Sequence, residues 1–265
     1  MGDAKRRKHG IGQCIYCGAT AGLSREHVLP FGLGGNLVLQ DASCPLCAKE
    51  TSKLELRLLR GHWWPYRQFL GLPSRRASET VPDLSVTIKC ADGSEIPAWL
   101  PMAKQSVAMV FEFDPPSILK GTLRNDVPNA PRVYMKHLAA FPAVVQINGR
   151  DYSLKSDEKL EIPIHFDASD LCRFLAKVAH GYAISRRGID ACTEFLLPPL
   201  ILGNTDGAQS FVGGNGSPLV GPRLPGGGLH SMMDRLNDGF VSVYIQLFRD
   251  RGDPPPIYEV IVGRV

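Results

Sequence analysis

Two cysteine pairs near the start of the chain constrain its fold more than any other feature. Cys14 and Cys17 form one Cys-x-x-Cys motif, Cys44 and Cys47 form a second, and 26 residues separate the pairs. Thiolates at this spacing can leave one tight turn together, and four of them are a complete tetrahedral ligand set for a structural Zn²⁺. The glycine-rich segment between them could bury little apolar surface, so the ion would stabilise the fold. The sequence therefore predicts a zinc module, and a bare zinc ribbon that only binds a partner is one form it can take.

The remaining cysteines do not extend this pattern. The chain has seven cysteines, of which Cys90, Cys172 and Cys192 are scattered. An odd count with metal-type spacing argues against a disulfide framework and predicts a reduced, cytoplasmic protein. No apolar run approaches the roughly 18 residues of a membrane span, and the basic start of the chain lacks the apolar stretch of a secretory signal. No membrane association is therefore expected.

Positive charge is concentrated at the front of the chain. Residues 1–76 hold 12 Lys and Arg against 5 Asp and Glu, whereas the rest is net acidic, and the whole chain carries +4. The front segment would therefore attract a polyanion such as nucleic acid. Its basic run, residues 5–8, is either a solvated tail or an arm that contacts phosphates.

The character of the sequence changes after residue 76. The polar stretch 72–83 predicts a linker, so we expect a zinc module over 1–76 and a second domain over 84–265. The second domain is predicted to be α+β, with mostly antiparallel strands around one or two helices. The predicted strands are 84–89, 106–113, 132–138, 143–148, 160–166, 240–248 and 257–265. Helices are predicted at 167–184 and 189–197, and long loops at 203–229.

The segment between the two cysteine pairs carries residues suited to phosphodiester hydrolysis. Glu26 and His27 are adjacent, and Asn36 follows two glycines downstream. An imidazole can deprotonate water near neutral pH, and a carboxylate can hold a hard divalent cation against a phosphate. An amide such as Asn36 can fix the orientation of an imidazole by a hydrogen bond.

Together these motifs resemble the HNH endonucleases of the zinc-stapled type, over roughly residues 12–60. The resemblance implies a β-hairpin followed by a helix around a metal, the ββα-metal fold. It implies that Glu26 is a ligand of a catalytic Mg²⁺ or Mn²⁺, that His27 is the general base, and that Asn36 positions the base. It also implies that the four cysteines of the two pairs bind a structural zinc.

One position departs from the family. HNH proteins usually carry His or Asn directly after the last cysteine, where it completes the catalytic metal site, and here that residue is Ala48. Of its neighbours Asp41, Lys49 and Glu50, only Glu50 is a plausible replacement ligand on the helix. The alternative is a degenerate module that binds nucleic acid or a protein partner without cleaving.

A helix is expected after the second cysteine pair. Ser52 and Glu55 have the spacing of a capping box at a helix start. A basic stripe with helical spacing predicts a face that is either solvated or follows a phosphate backbone. Its residues are Lys49, Lys53, Arg57 and Arg60. Beyond it, His62, Trp63 and Trp64 are expected to pack against the second region.

The second region points to recognition rather than chemistry. His180, on the predicted 167–184 helix, is expected to be buried and hydrogen-bonded. This region would bind nucleic acid, a protein partner or a regulatory ligand. The expected function of the whole chain is a metal-dependent HNH endonuclease that cuts double-stranded DNA. A homodimer would suit cleavage of both strands.

Overall fold

The computed structural model has an α+β fold, as the sequence predicts. It describes residues 10–61, 63–74, 82–101, 107–122, 132–137, 144–161, 167–214, 228–249 and 255–265. A ββα unit comes first, and mostly antiparallel strands around a long helix make up the remainder. The basic run at residues 5–8 and His62 lie outside the described residues.

The helices and the strands are each numbered in chain order. The helices are α1 (Pro45–Arg60), α2 (Trp64–Phe69), α3 (Ala168–Arg187) and α4 (Pro198–Ile201). The strands are β1 (Ser24–His27), β2 (Val38–Ser43), β3 (Leu84–Lys89), β4 (Glu95–Leu100), β5 (Val107–Glu112), β6 (Arg132–His137), β7 (Val144–Ile147), β8 (Arg150–Ser153), β9 (Lys159–Glu161), β10 (Glu194–Phe195), β11 (Val212–Gly214), β12 (Ser231–Asn237), β13 (Phe240–Gln246) and β14 (Tyr258–Arg264). Within the described ranges, no helix combines the length and the apolar character that crossing a bilayer requires.

The hairpin of β1 and β2 depends on two consecutive glycines in its loop. The strands pair antiparallel, with Glu26 opposite Leu39. Gly34 has a φ of 79°, and a Cβ placed on Gly35 would lie 2.0 Å from the carbonyl oxygen of Leu29. Only glycine tolerates both conditions without strain. The Gly-Gly pair therefore lets the loop fold closely against the backbone at Leu29.

Helix α3 lies at the centre of the fold. The side chain of Asp167 caps it by accepting a hydrogen bond from the Ser169 backbone at 2.8 Å. The helix packs against α1, α4 and an antiparallel sheet of order β10–β14–β13–β12, in which β14 also pairs with β11. Its side chains Phe174, Leu175 and Val178 are fully buried. Burial of each contributes about 1.5–3 kcal/mol relative to exposure.

A second antiparallel sheet has the order β8–β7–β4–β3–β9 and its own small apolar cluster. Strand β4 is not among the predicted strands. It contains Pro97, which has no backbone N–H to donate to a strand ladder. In the structure β7 pairs with β4 only at Trp99 and Gln146. Pro97 therefore lies beyond the paired part of that edge.

Most predicted elements of this region are confirmed. β3 has the predicted bounds, β5, β6, β7, β13 and β14 fall inside theirs, and α3 extends beyond its predicted end. The helix predicted at 189–197 is wrong, because residues 194–195 form β10 and the short helix α4 begins at Pro198. A proline is accepted in the first turn of a helix, so Pro198 starts one here instead of ending one. Of the predicted strand 160–166, residues 162–166 lie outside the described residues.

The apolar interior is continuous between the ββα unit and the later region. Val28 and Trp63 belong to the same buried cluster as Phe174 and Phe248. The Trp63 ring meets Phe174 edge-on at 5.0 Å and Phe248 at 5.7 Å between centroids. The expectation that this tryptophan packs against the second region is therefore confirmed.

We expect a fragment of residues 1–82 to show no cooperative thermal unfolding, in contrast to the full chain. Cutting there would expose Val28 and Trp63 to water and remove the partners of α1 on α3. Circular dichroism of both proteins, each loaded with zinc, measures this. A sharp transition in the fragment, with helix content matching α1 and α2, would show that the front of the chain folds alone.

Candidate functional site

The four predicted zinc ligands come together. The sulfurs of Cys14, Cys17, Cys44 and Cys47 all lie within 4.8 Å of one another. Zn–S bonds of about 2.3 Å place the sulfurs of a tetrahedral site about 3.8 Å apart, and the Cys17 and Cys44 sulfurs are 3.6 Å apart. Among the described residues, this is the one group of three or more metal-ligating side chains so close together. The cluster therefore fits a structural zinc ion.

Two local structures present these thiols. The Gly18 backbone donates to the Cys14 carbonyl at 2.8 Å, which closes the first turn. Cys44 is the N-cap of α1, so the second pair lies on the first helical turn. The backbone N–H of Cys47 lowers the pKa of the Cys44 thiol to about 7, whereas burial raises the pKa of the Cys47 thiol. Of these two thiols, Cys44 therefore forms the thiolate that zinc binds more readily.

Replacing Cys47 with serine should abolish stoichiometric zinc binding and lower the unfolding temperature. Three thiolates leave the tetrahedral site incomplete, and the ββα unit loses its metal crosslink. Elemental analysis gives the zinc content, and thermal unfolding gives the stability. Cys192→Ser is the matched control, because Cys192 lies outside the cluster. A full complement of zinc in Cys47→Ser would contradict the four-thiolate site.

A cleft of about 540 Å³ lies beside β1, the loop that follows it and one face of α1. Glu26 and His27 of β1 line it, together with Ala48, Ser52 and Glu55 of α1. His27 is half-buried, and within the described part of the chain its ring makes no hydrogen bond. The structure therefore places the predicted base and the predicted metal ligand in one cleft.

Glu55 is the carboxylate of α1 that faces this cleft. It follows Ala48 by seven residues, which is nearly two helical turns, so both lie on the same face of α1. The Oε1 atoms of Glu55 and Glu26 both contact the ammonium group of Lys177, so the two carboxylates converge. Glu50, the replacement ligand considered from the sequence, instead pairs with Lys53 at 2.7 Å on an exposed surface. The structure does not bring it to the cleft.

The capping-box interpretation of Ser52 and Glu55 is wrong. Helix α1 begins at Pro45, with Cys44 as its N-cap, so both residues lie in the helix interior. A proline at the first helical position is itself a helix-start signal. A helix begun there places Glu55 two turns beyond Ala48, and this spacing would have identified it.

Lys177 of α3 is the second member of the site that the sequence did not assign. The residue is fully buried, and its Nζ lies 2.8 Å from Glu26 Oε1 and 2.9 Å from Glu55 Oε1. It also donates to the backbone carbonyls of His27 and, at 3.3 Å, of Val28. Burial lowers the pKa of this ammonium, but the two carboxylates more than compensate and the pKa is raised above its ordinary value. Glu26, Glu55 and Lys177 therefore form a charged carboxylate–lysine cluster.

Tyr16 lies against this cluster. Its ring stacks on His180 with centroids 5.7 Å apart. Its hydroxyl is buried, with no hydrogen-bond partner among the described residues. Burial and then the neighbouring carboxylates Glu26 and Glu55 raise the pKa of Tyr16 well above its ordinary value. The phenol is therefore protonated at neutral pH.

His180 is buried and hydrogen-bonded, as expected from the sequence. Its Nε2 lies 2.7 Å from the Ile15 carbonyl oxygen, which only accepts, so Nε2 carries the proton. Burial lowers the pKa of His180 to about 4. The Nδ1 atom is buried with no partner among the described residues, so a second proton there would be an uncompensated charge.

The low pKa of His180 should make the protein less stable in mild acid. An unfolded histidine has a pKa of about 6.5, whereas the folded value is about 4. The unfolded state therefore binds the extra proton first, and stability present above pH 6.5 is lost as the pH falls towards 4. The loss is at most about 3 kcal/mol. Urea unfolding at pH 7 and pH 5 should show this slope in the zinc-loaded wild type and a shallower one in His180→Phe, and equal slopes would contradict it.

Asn36 is not brought to the cleft. It is exposed in the loop before β2 and does not line the cavity. Within the described residues its side chain makes no hydrogen bond. Among the described residues, the predicted hydrogen bond from Asn36 to the His27 imidazole is therefore not formed. The shape of the loop depends on Gly34 and Gly35 instead.

The four basic residues predicted to form one face of α1 lie in different environments. Arg57 donates two hydrogen bonds to the Asp170 carboxylate, at 2.5 and 2.6 Å, and so ties α1 to α3. Lys53 pairs with a carboxylate of its own helix, and Lys49 is exposed. Arg60 lines the cleft. Of the four predicted nucleic-acid contacts, only Arg60 lies at the site.

Two further arginines line the cleft. Arg25 is exposed on β1. Arg67 of α2 is buried and donates to the carbonyl oxygens of Gly32, Leu59 and Pro73, at 2.5, 2.7 and 2.9 Å. It holds the loop after β1 against the end of α1. The cleft wall therefore combines cationic groups with the carboxylates at its base.

Comparisons with protein-family profiles, with characterised proteins and with solved structures found no match to this chain. The cluster of four cysteines and the α+β fold are observed in the chain itself. The function of the cleft is therefore argued from the chemistry of the residues that line it.

Proposed function

We propose that this protein is a metal-dependent endonuclease of the HNH type that hydrolyses phosphodiester bonds in DNA. The observation that carries the proposal is the convergence of His27, Glu26 and Glu55 on one cleft of a zinc-binding ββα unit. An imidazole beside two carboxylates, with arginines on the same wall, suits attack of water on a phosphate diester.

In this proposal His27 takes the proton from the attacking water, because a neutral imidazole nitrogen can accept one. Arg25 and Arg60 orient the phosphate backbone at the mouth of the cleft. Glu26 and Glu55 would hold a Mg²⁺ or Mn²⁺ ion, since carboxylate oxygens are the ligands of hard cations. When bound, that ion supplies positive charge to stabilise the phosphorane-like transition state.

A second candidate is a module that binds nucleic acid without cutting it. The observation favouring it is that Lys177 already neutralises one of the two carboxylate charges at the site. Ala48, which offers no ligand, is consistent with the same candidate. In that case the arginines of the cleft would hold phosphates, and the zinc would only stabilise the platform.

The test is nicking of supercoiled plasmid by the full, zinc-loaded chain with Mg²⁺ or Mn²⁺. We expect His27→Ala to lower the rate by about 10²–10⁴-fold, because the base is removed while the fold is kept. We expect Glu55→Gln to lower it too and to raise the metal concentration required.

Glu50→Gln is the matched control for Glu55→Gln. Both are glutamates of α1, but Glu50 lies on an exposed surface away from the cleft, where losing its pair with Lys53 costs little. It should cut like the wild type. If the wild type binds DNA with a salt dependence typical of phosphate contacts yet never cuts with either metal, the binding candidate takes the place of the nuclease.

A further inference from the structure

Lys177 reaches the proposed catalytic site from an element far away in the sequence. It lies on α3, 150 residues beyond His27, whose carbonyl accepts its hydrogen bond. Its side chain is 1% exposed, and the two carboxylate oxygens it contacts belong to Glu26 and Glu55. No part of the ammonium is therefore presented to a substrate in the cleft.

The surroundings of this ammonium form a complete cage of oxygens. Nζ has three N–H groups, and four oxygens lie around it, from the carboxylates of Glu26 and Glu55 and the carbonyls of His27 and Val28. Every donor therefore has an acceptor within the protein. Lys177 can act on the chemistry only through the groups it holds.

The ammonium occupies the same carboxylate oxygens that a divalent cation would use. Nζ lies 2.8 Å from Glu26 Oε1 and 2.9 Å from Glu55 Oε1. Carboxylate oxygens are the ligands that Mg²⁺ prefers. A divalent ion that bound these two oxygens would therefore compete with the ammonium for them.

We propose that Lys177 is a positioning residue of this site and that its ammonium competes with the divalent ion for the oxygens of Glu26 and Glu55. The proposal rests on the proposed function, in which these carboxylates bind the metal. Lys177 fixes the backbone at His27 and Val28 and so the direction of the catalytic imidazole. It also sets the metal concentration at which the site fills.

These two roles predict effects of opposite sign when the ammonium is removed. Two carboxylates without a counter-charge attract a divalent cation more strongly, so metal binding tightens. The backbone at His27 loses a hydrogen-bond donor, so the base is held less well and turnover at saturating metal falls. A lysine with a purely structural role would, on removal, weaken metal binding and turnover together.

The experiment measures Mn²⁺ binding by electron paramagnetic resonance, in which the free ion gives the signal. The proteins are the full, zinc-loaded wild type and Lys177→Met. We expect Lys177→Met to bind Mn²⁺ about tenfold more tightly or better, while its rate of plasmid nicking at saturating metal falls by about 10²-fold. Lys53→Met removes the same charge from an exposed position and should match the wild type.

A second pair of variants keeps the test valid if Lys177→Met fails to fold. Glu55→Gln and Glu55→Gln/Lys177→Met differ only in the ammonium, and neither leaves two unpaired carboxylates in the interior. The double variant should bind Mn²⁺ more tightly than the single one. Zinc content and circular dichroism check that each protein is folded.

Equal or weaker Mn²⁺ binding after removal of Lys177, in both comparisons, would overturn the competition. So would an absence of Mn²⁺ binding in all of these proteins. The first result leaves the proposed nuclease function to its own test, which is plasmid nicking and its dependence on His27. The second result would also contradict the metal site of that proposed function.

Discussion

The buried ammonium of Lys177 joins two parts of the chain that are far apart in sequence. It comes from the middle of α3 and reaches through the apolar interior to Glu26 on β1 and Glu55 on α1. Removing one partner of such a buried ion pair typically lowers the free energy of unfolding by about 3–5 kcal/mol, because the other charge is left without compensation. The fold of the ββα unit, the packing of α3 and the charge at the base of the cleft therefore depend on one another.

Other contacts repeat this coupling at different points of the same interface. The Arg57 guanidinium binds the Asp170 carboxylate near the start of α3, and His180 binds the Ile15 carbonyl between the first two zinc ligands. Trp63 packs on Phe174 of the same helix. Helix α3 thus contacts the turn of the first two cysteines, strand β1 and helix α1 together. The positions of Glu26 and Glu55 in the cleft therefore depend on how α3 packs.

The zinc ligands and the residues at the end of β1 could be predicted from the sequence because their signals are local. Spacing within a Cys-x-x-Cys motif is fixed by one turn, and adjacent residues such as Glu26 and His27 stay adjacent in any fold. Asn36 is predicted from its place in a motif, whereas the path of the loop decides that it is exposed. The capping-box interpretation starts α1 at Ser52 instead of Pro45, and this hides the place of Glu55 on the cleft face. Strand β4 has a weak local signal, since it contains a proline and pairs fully with only one neighbour.

The sequence by itself determined the zinc ligand set, the α+β class, most strands and the long helix α3. These follow from motif spacing and hydrophobic period, which are properties of short stretches of chain. The tertiary structure alone decided that Glu55 and Lys177 join Glu26 at the base of the cleft, and that Arg57 is used to hold α3. The physical reason is that buried charges must find partners in three dimensions. The partner of Glu26 on β1 is Lys177 on α3. Lys177 lies 150 residues beyond His27, the residue that follows Glu26.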